Sequence, residues 1–396
     1  MALNFDFSEE QRMLEDSVYK WAINWLEPQM EHLYEIDEMP PTLFKETANL
    51  GINGIVFEEQ YGGAGMGYVE TLLAYENIAR VSNALSMTVG ASQTLCFDNF
   101  RRNASEEQKA YALPKACSGE WIGCLGITEP NAGSDAMSMS TKAEKKGDKY
   151  IINGSKTFIT NAPVGQFMTF YAKTDPAAGP KGISAFFFEF DKVKGCTVEK
   201  IKKWGMRTSP TGLVTFEDME LPAENLIGGL NKGVAILTSG LCTERITLSG
   251  CTLGSQRSCI ELCLKYAKER IAFGKPIASF QSIQDKLANM YTGYLASKWL
   301  AYSAASYCDS QKNKSGGKGT DLDRMAAASL LFCGEMGTKI ALDAVQIFGG
   351  YGYCTEYAIS RHFLDQKLWE IGAGTSEIRR MIIARELLRD DFKSGR

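Results

Sequence analysis

From Gly233 to Gln256 the only charged residues are Glu244 and Arg245, set in a helical stretch of apolar and small side chains. Burial penalises an ionised carboxylate and lifts its pKa toward neutrality, while an adjacent guanidinium opposes the shift. A carboxylate so placed can take a proton from carbon. A buried structural ion pair leaves the same signature, and spacing alone weighs the two equally. Only two histidines occur, His32 in a charged helical stretch and His362 within Ser360–Phe363. Neither lies near a nucleophile motif, which disfavours Ser–His or Cys–His covalent catalysis. Chemistry then falls to carboxylates, backbone groups or an organic cofactor.

Four glycine- or turn-rich segments could hold such a cofactor. Gly126-Ile127-Thr128-Glu129-Pro130-Asn131-Ala132-Gly133-Ser134-Asp135 offers two hydroxyls and several amides to an anion or a polar ring edge. A plain surface loop reads the same way. Gly349-Gly350-Tyr351-Gly352-Tyr353, preceded by Gln346, breaks two helices and admits close backbone approach, or is a tight turn. Gly372-Ala373-Gly374-Thr375-Ser376-Glu377 leads into a helix from Ile378 to Leu388, suited to a phosphate or a polarised carbonyl, or to ordinary capping. In Arg270-Ile271-Ala272-Phe273-Gly274-Lys275-Pro276 the two basic residues close a helix and could pair with a diphosphate. No G-x-G-x-x-G is present: the run Gly62-Gly63-Ala64-Gly65-Met66-Gly67 continues with Tyr68, which argues against an ordinary nicotinamide site.

Bulk properties narrow the field. The 396 residues exceed one common domain, and 44% hydrophobic with 23% charged residues describes a globular chain with a large core. A net charge of −4 without a basic run disfavours nucleic acid as a partner. The eleven cysteines are scattered without a C-x-x-C pair, so neither a metal site nor a disulfide framework is expected. The acidic N-terminus lacks the look of a signal or transit peptide, and no run approaches a membrane span. A cytoplasmic location is the expectation.

These groups need a scaffold in three parts. Residues 1–120 read as helices, with apolar spacing of three and four over Glu9–Trp25, Pro41–Leu50 and Tyr68–Val81. Residues 121–231 read as a small β barrel or sandwich, with strands at Tyr150–Gly154, Lys156–Asn161, Phe167–Ala172, Ile183–Phe190 and Val214–Phe216. Residues 232–396 return to helices near 233–268, 280–311, 319–348 and 376–389, with a polar loop at Lys312–Thr320. The expected fold is α+β multidomain: a helical domain, a β domain and a four-helix bundle.

In this order and at these separations the segments resemble the acyl-CoA dehydrogenase family over essentially the whole chain. I-T-E-P-N-A-G-S-D matches one family signature, and the stretch from Gln346 through Arg385 matches the other. The resemblance implies FAD bound between the β domain and the C-terminal helices. It places Gly126, Ile127, Thr128, Ser134, Phe158, Ile159 and Thr160 at the flavin, with Thr160 near its reactive nitrogen and Phe158 packed on the ring. It places Arg270, Phe273, Gln281, Gln346, Gly350, Thr375 and Glu377 at the diphosphate, adenine or ribityl chain, some across a subunit boundary. Ser134, Arg245, Gly372, Ala373 and Gly374 would surround the acyl-CoA. Electron-transferring flavoprotein as acceptor and a homotetramer are further family habits.

One departure matters. Most of the family places a glutamate base where this chain has Ala373. The subgroup related to isovaleryl-CoA dehydrogenase is similar to this chain in both G-A-G-T-S-E and an E-R pair at Glu244-Arg245. By that resemblance Glu244 is the base, the Ala373 N–H holds the thioester carbonyl, and the small Gly372-Ala373 pair suits a branched, alicyclic or aryl acyl group. A glutaryl-type substrate is disfavoured because Ser82–Ser86 holds no arginine. An enoyl-CoA reductase, an acyl-CoA oxidase and a catalytically silent flavin- or CoA-binding protein are the alternatives.

Overall fold

The structure, a computed structural model, describes residues 6–311 and 321–389, so the expected loop at 312–320 lies outside it. The first part is helical, as expected. Ser8 and Gln11 form a capping box that starts helix Glu9–Trp21, and Ser105 with Gln108 does the same for Glu106–Cys117. Helix Tyr68–Ala79 is buried nearly throughout and packs on the 37-residue helix Gly233–Glu269. Small residues make that contact close. A Cβ on Gly254 would lie 2.0 Å from the Glu76 carbonyl oxygen, and one on Gly250 2.6 Å from that of Leu72.

The middle part is one hydrogen-bonded eight-stranded sheet rather than separate short strands. The two expected runs near Tyr150 and Lys156 form one strand, Lys149–Thr160, antiparallel to Thr211–Pro222. The latter extends well beyond the apolar core Val214–Phe216, because its added residues Glu217, Asp218 and Glu220 face water. Strands Gly123–Gly126, Lys142–Lys146 and Cys196–Lys200 were not legible; in Lys142–Lys146 only Ala143 points inward. Strands Phe167–Lys173 and Ile183–Glu189 read as unbroken apolar runs because both faces are covered. Met168, Phe170, Phe186 and Phe188 fill the interior of the β domain, while Phe167, Tyr171 and Phe187 pack against Phe97 and Phe100 of the helical part.

The last part contains the four expected long helices, Gly233–Glu269, Gln281–Ser310, Asp321–Phe348 and Ser376–Arg389, with an unforeseen short helix Ala358–Gln366. Segment 321–353 is long and apolar enough to cross a membrane, contrary to the reading of the sequence. Half of it is buried inside the protein, as in the core helix of a bundle. Arg270 and Lys275 do not close a helix together. The helix stops at Glu269, and residues 271–276 form a hairpin turning at Phe273 and Gly274, both with positive φ.

Candidate active site

Glu244 lies in the first third of helix Gly233–Glu269 and is 6% exposed. Burial raises its carboxyl to about 7, against the opposing charges of Arg245 and Arg379. Both guanidiniums also hold the turn after residue 371. Arg245 Nε donates to the Ala373 carbonyl at 3.5 Å, and fully buried Arg379 donates to the carbonyls of Gly372, Trp369 and Leu330. Burial and the neighbouring Arg245 lower Arg379 to about 10, while Glu244 opposes that fall. The same two cations thus hold the 372–374 turn and act by their charge on the buried carboxylate. Ala373 takes φ 53 and Gly374 φ 87. The Ala373 N–H makes no hydrogen bond among the described residues, while its carbonyl is tied down.

Behind this cluster, Arg102 links the helical part to the long helix. It donates to Asp98, to Thr243 beside Glu244 and to the Ser239 carbonyl. Tyr171 donates to Asn99 at 3.0 Å, and its hydroxyl is pushed up chiefly by burial, with the Glu244 charge contributing.

On the β domain, register shifts by one bulge between Lys156 and Ile159. Phe158 sits at the bulge with φ 58 and is 66% exposed. A left-handed phenylalanine with its ring in solvent is unfavourable for both backbone and side chain, the pattern of a residue shaped for a ligand. Ile159 packs its side chain in the core of the β domain, and Gly126 is buried. The hydroxyls of Thr128, Ser134 and Thr160 make no hydrogen bond among the described residues.

Thr375 caps helix Ser376–Arg389, accepting from Ile378 N at 3.3 Å, and Glu377 lies exposed in its first turn. Both follow directly on the 372–374 turn that Arg245 and Arg379 hold. Arg270 and Gly350 share a separate groove of 480 Å³ with Tyr266, Phe348 and Tyr351. Phe273 on the hairpin is 94% exposed, Gln281 begins the next helix, and Gln346 is exposed just before Phe348. At 1.5 Å per residue, Arg270 stands roughly 39 Å along the helix from Glu244. Sequence reading missed Arg379, Arg102 and the Glu129–Lys156 pair described below. An arginine at Arg379, three residues after buried Ser376 on one helix face, was the available signal for the first.

An exposed aromatic ring and three uncommitted hydroxyls fit the flavin of FAD, and the separate groove offers one cation, Arg270, to a phosphate. Phe158, Thr128, Ser134 and Thr160 would hold the ring, with Thr375 near the ribityl chain.

Known proteins are similar to this chain over nearly its whole length. Sequence models of the acyl-CoA dehydrogenase N-terminal, middle and C-terminal domains match residues 8–120, 124–219 and 231–388. The mitochondrial isovaleryl-CoA dehydrogenase of Pongo abelii is 43% identical, covering 97% of this chain and 90% of its own. Butyryl-CoA dehydrogenase from Megasphaera elsdenii superposes with TM-score 0.92 at 34% identity, over 98% of this chain and 100% of that one. The FAD complex of PigA superposes with TM-score 0.91 at 31% identity, over 98% and 100%. The chain belongs to the acyl-CoA dehydrogenase family of FAD-dependent oxidoreductases.

Proposed function

We propose that the protein introduces a double bond between Cα and Cβ of an acyl-CoA thioester branched at Cβ, of the isovaleryl type, with Glu244 as the base. The observation that carries this reading is the buried carboxylate of Glu244, raised to about 7 and under the charges of Arg245 and Arg379, the two cations that hold the 372–373 turn. A group ionising there is half in its basic form at neutral pH, as a base for a weakly acidic C–H requires. The free Ala373 N–H donates to the thioester oxygen and stabilises the enolate-like charge that develops as the proton leaves. Arg245 is buried, and its Nε donates to the Ala373 carbonyl, which helps to position the turn beside the acyl chain. The α-proton goes to Glu244, and bound FAD supplies the acceptor for the hydride from Cβ. Electron-transferring flavoprotein would then take the two electrons.

Substrate shape follows from what stands at residues 372 and 373. A hydrogen and a methyl group occupy the place where a long acidic side chain would fill the acyl end of the site. That room suits two methyl branches on Cβ. Arg270 stands roughly 39 Å along the long helix from Glu244. By family habit the Arg270 groove serves the cofactor of a second copy, in a homotetramer.

Anaerobic titration of the oxidised holoenzyme with isovaleryl-, isobutyryl-, butyryl-, cyclohexanecarbonyl- and glutaryl-CoA tests the reading. Bleaching of flavin absorbance with isovaleryl-CoA at the lowest concentration is the expected result. Preference for butyryl- or glutaryl-CoA would overturn the substrate assignment, and no bleaching with any thioester would overturn the activity. Fast reoxidation of the bleached enzyme by air would replace the flavoprotein acceptor with dioxygen.

A further inference from the structure

One buried ion pair lies apart from the Glu244 chemistry. Lys156 is fully buried, and its Nζ stands 2.7 Å from Glu129 Oε1 and 3.3 Å from the Ile127 carbonyl oxygen. Glu129 is 3% exposed and accepts from Ser140 N, Ser140 Oγ and Thr141 N as well. Burial works against its ionisation, but Lys156 and these donors outweigh it and hold the carboxyl at about 2. The pair itself joins two stretches of chain, and Ser140 and Thr141 bring a third onto Glu129. Glu129 follows Thr128 in the loop that ends at Ser134–Asp135, and Lys156 precedes the raised segment Phe158–Thr160 by one residue. Thr157 N, donating to the Thr128 carbonyl at 2.8 Å, ties the same two stretches together.

Buried pairs contribute little net stability, because desolvation consumes most of their attraction. Their better-attested use is to fix one arrangement among several. Here the arrangement is costly: Phe158 is held left-handed with its ring in water. The far end of the segment is pinned independently. Asn161 N donates to the Pro210 carbonyl, and Asn161 Nδ2 to the carbonyls of Thr88 and Gly123. With both ends fixed, the bulge cannot relax into a regular strand.

We propose that the Glu129–Lys156 pair is a positioning device for FAD: it holds the loop bearing Thr128 and Ser134 in register with Phe158–Thr160, so that the flavin-facing groups stand in place before the cofactor arrives. The inference concerns cofactor capture and is independent of the base at residue 244.

The test compares FAD affinity with fold stability in protein stripped of flavin and reconstituted. Lys156→Met should raise the FAD dissociation constant at least tenfold and alter the visible circular dichroism of the flavin that still binds. Ser140→Ala removes one hydroxyl donor to Glu129 at an exposed position, so the protein folds, and about a threefold weakening is expected. Arg80→Met breaks the Arg80–Glu261 pair far from the loop and is the control. It should lower the thermal midpoint of the apoprotein while leaving FAD affinity and the flavin spectrum unchanged. Wild-type affinity and spectrum in Ser140→Ala, together with the same in Lys156→Met or with failure of that variant to fold, would reduce the pair to packing and overturn the proposal.

Discussion

The pH dependence of flavin reduction follows from the environment of Glu244. Its carboxyl rises from an ordinary 4.5 to about 7 because burial penalises the charge more than Arg245 and Arg379 favour it. At about 1.4 kcal/mol per pKa unit, the shift corresponds to roughly 3 kcal/mol of preference for the protonated form in the fold. Only the ionised form accepts the α-proton. The rate of flavin reduction by subsaturating isovaleryl-CoA should therefore climb about tenfold per pH unit below 7 and level off above it. Stability has the opposite slope. A folded-state pKa above the unfolded one means that the fold binds an extra proton between pH 4.5 and 7, so this contribution is full below 4.5 and is lost as pH rises through 7. Stopped-flow absorbance under anaerobic conditions, in steps from pH 5.5 to 8.5, reads the rate. Urea unfolding of the apoprotein, wild type against Glu244→Gln, reads the stability. A kinetic midpoint near 4.5, or a Gln variant whose stability keeps the wild-type slope, would refute the reasoning.

Three further outcomes follow from the geometry. Gly254→Ala forces a methyl group to 2.0 Å from the Glu76 carbonyl, and should cost about 1–3 kcal/mol in urea unfolding unless the helices separate. Ala373→Gly relieves a left-handed alanine, so thermal unfolding should show a gain of up to about 1 kcal/mol, while turnover persists because the N–H donor remains. Phe158→Ala removes a ring that is 66% exposed; apoprotein stability should hold within about 0.5 kcal/mol, while fluorescence titration shows weaker FAD binding by about 0.5–1.5 kcal/mol.

The sequence was most legible where a signal repeats locally. Helices Gly233–Glu269 and Gln281–Ser310 begin and end within a residue or two of the limits set by their apolar spacing. Glu244 was conspicuous because no other acid occurs across 24 residues of that helix. Strands were less legible. Lys142–Lys146 is charged along most of its length, and only its pairing with Lys149–Asn153 shows which residue turns inward. The hairpin at 271–276 escaped because two-residue strands have no period to detect. Site residues were legible when they formed contiguous loops, as at Gly126–Asp135, and illegible when function depends on a distant partner. Glu129 meets Lys156 after 27 residues, and Arg102 meets Thr243 after 141. Arg379 and Arg380 are adjacent and of one type, so nothing in the sequence separates buried Arg379 from Arg380, which reaches the solvent.

Exchange at Cα isolates the role given to Glu244. Wild-type enzyme and Glu244→Gln, both loaded with FAD, are incubated anaerobically in D2O with a non-oxidisable 3-thia-acyl-CoA, and deuterium at Cα is followed by mass spectrometry. Rapid uptake in the wild type and a loss of at least a hundredfold in the Gln variant, with FAD affinity unchanged, is the predicted result. Equal uptake by the two proteins would show that another group removes the proton.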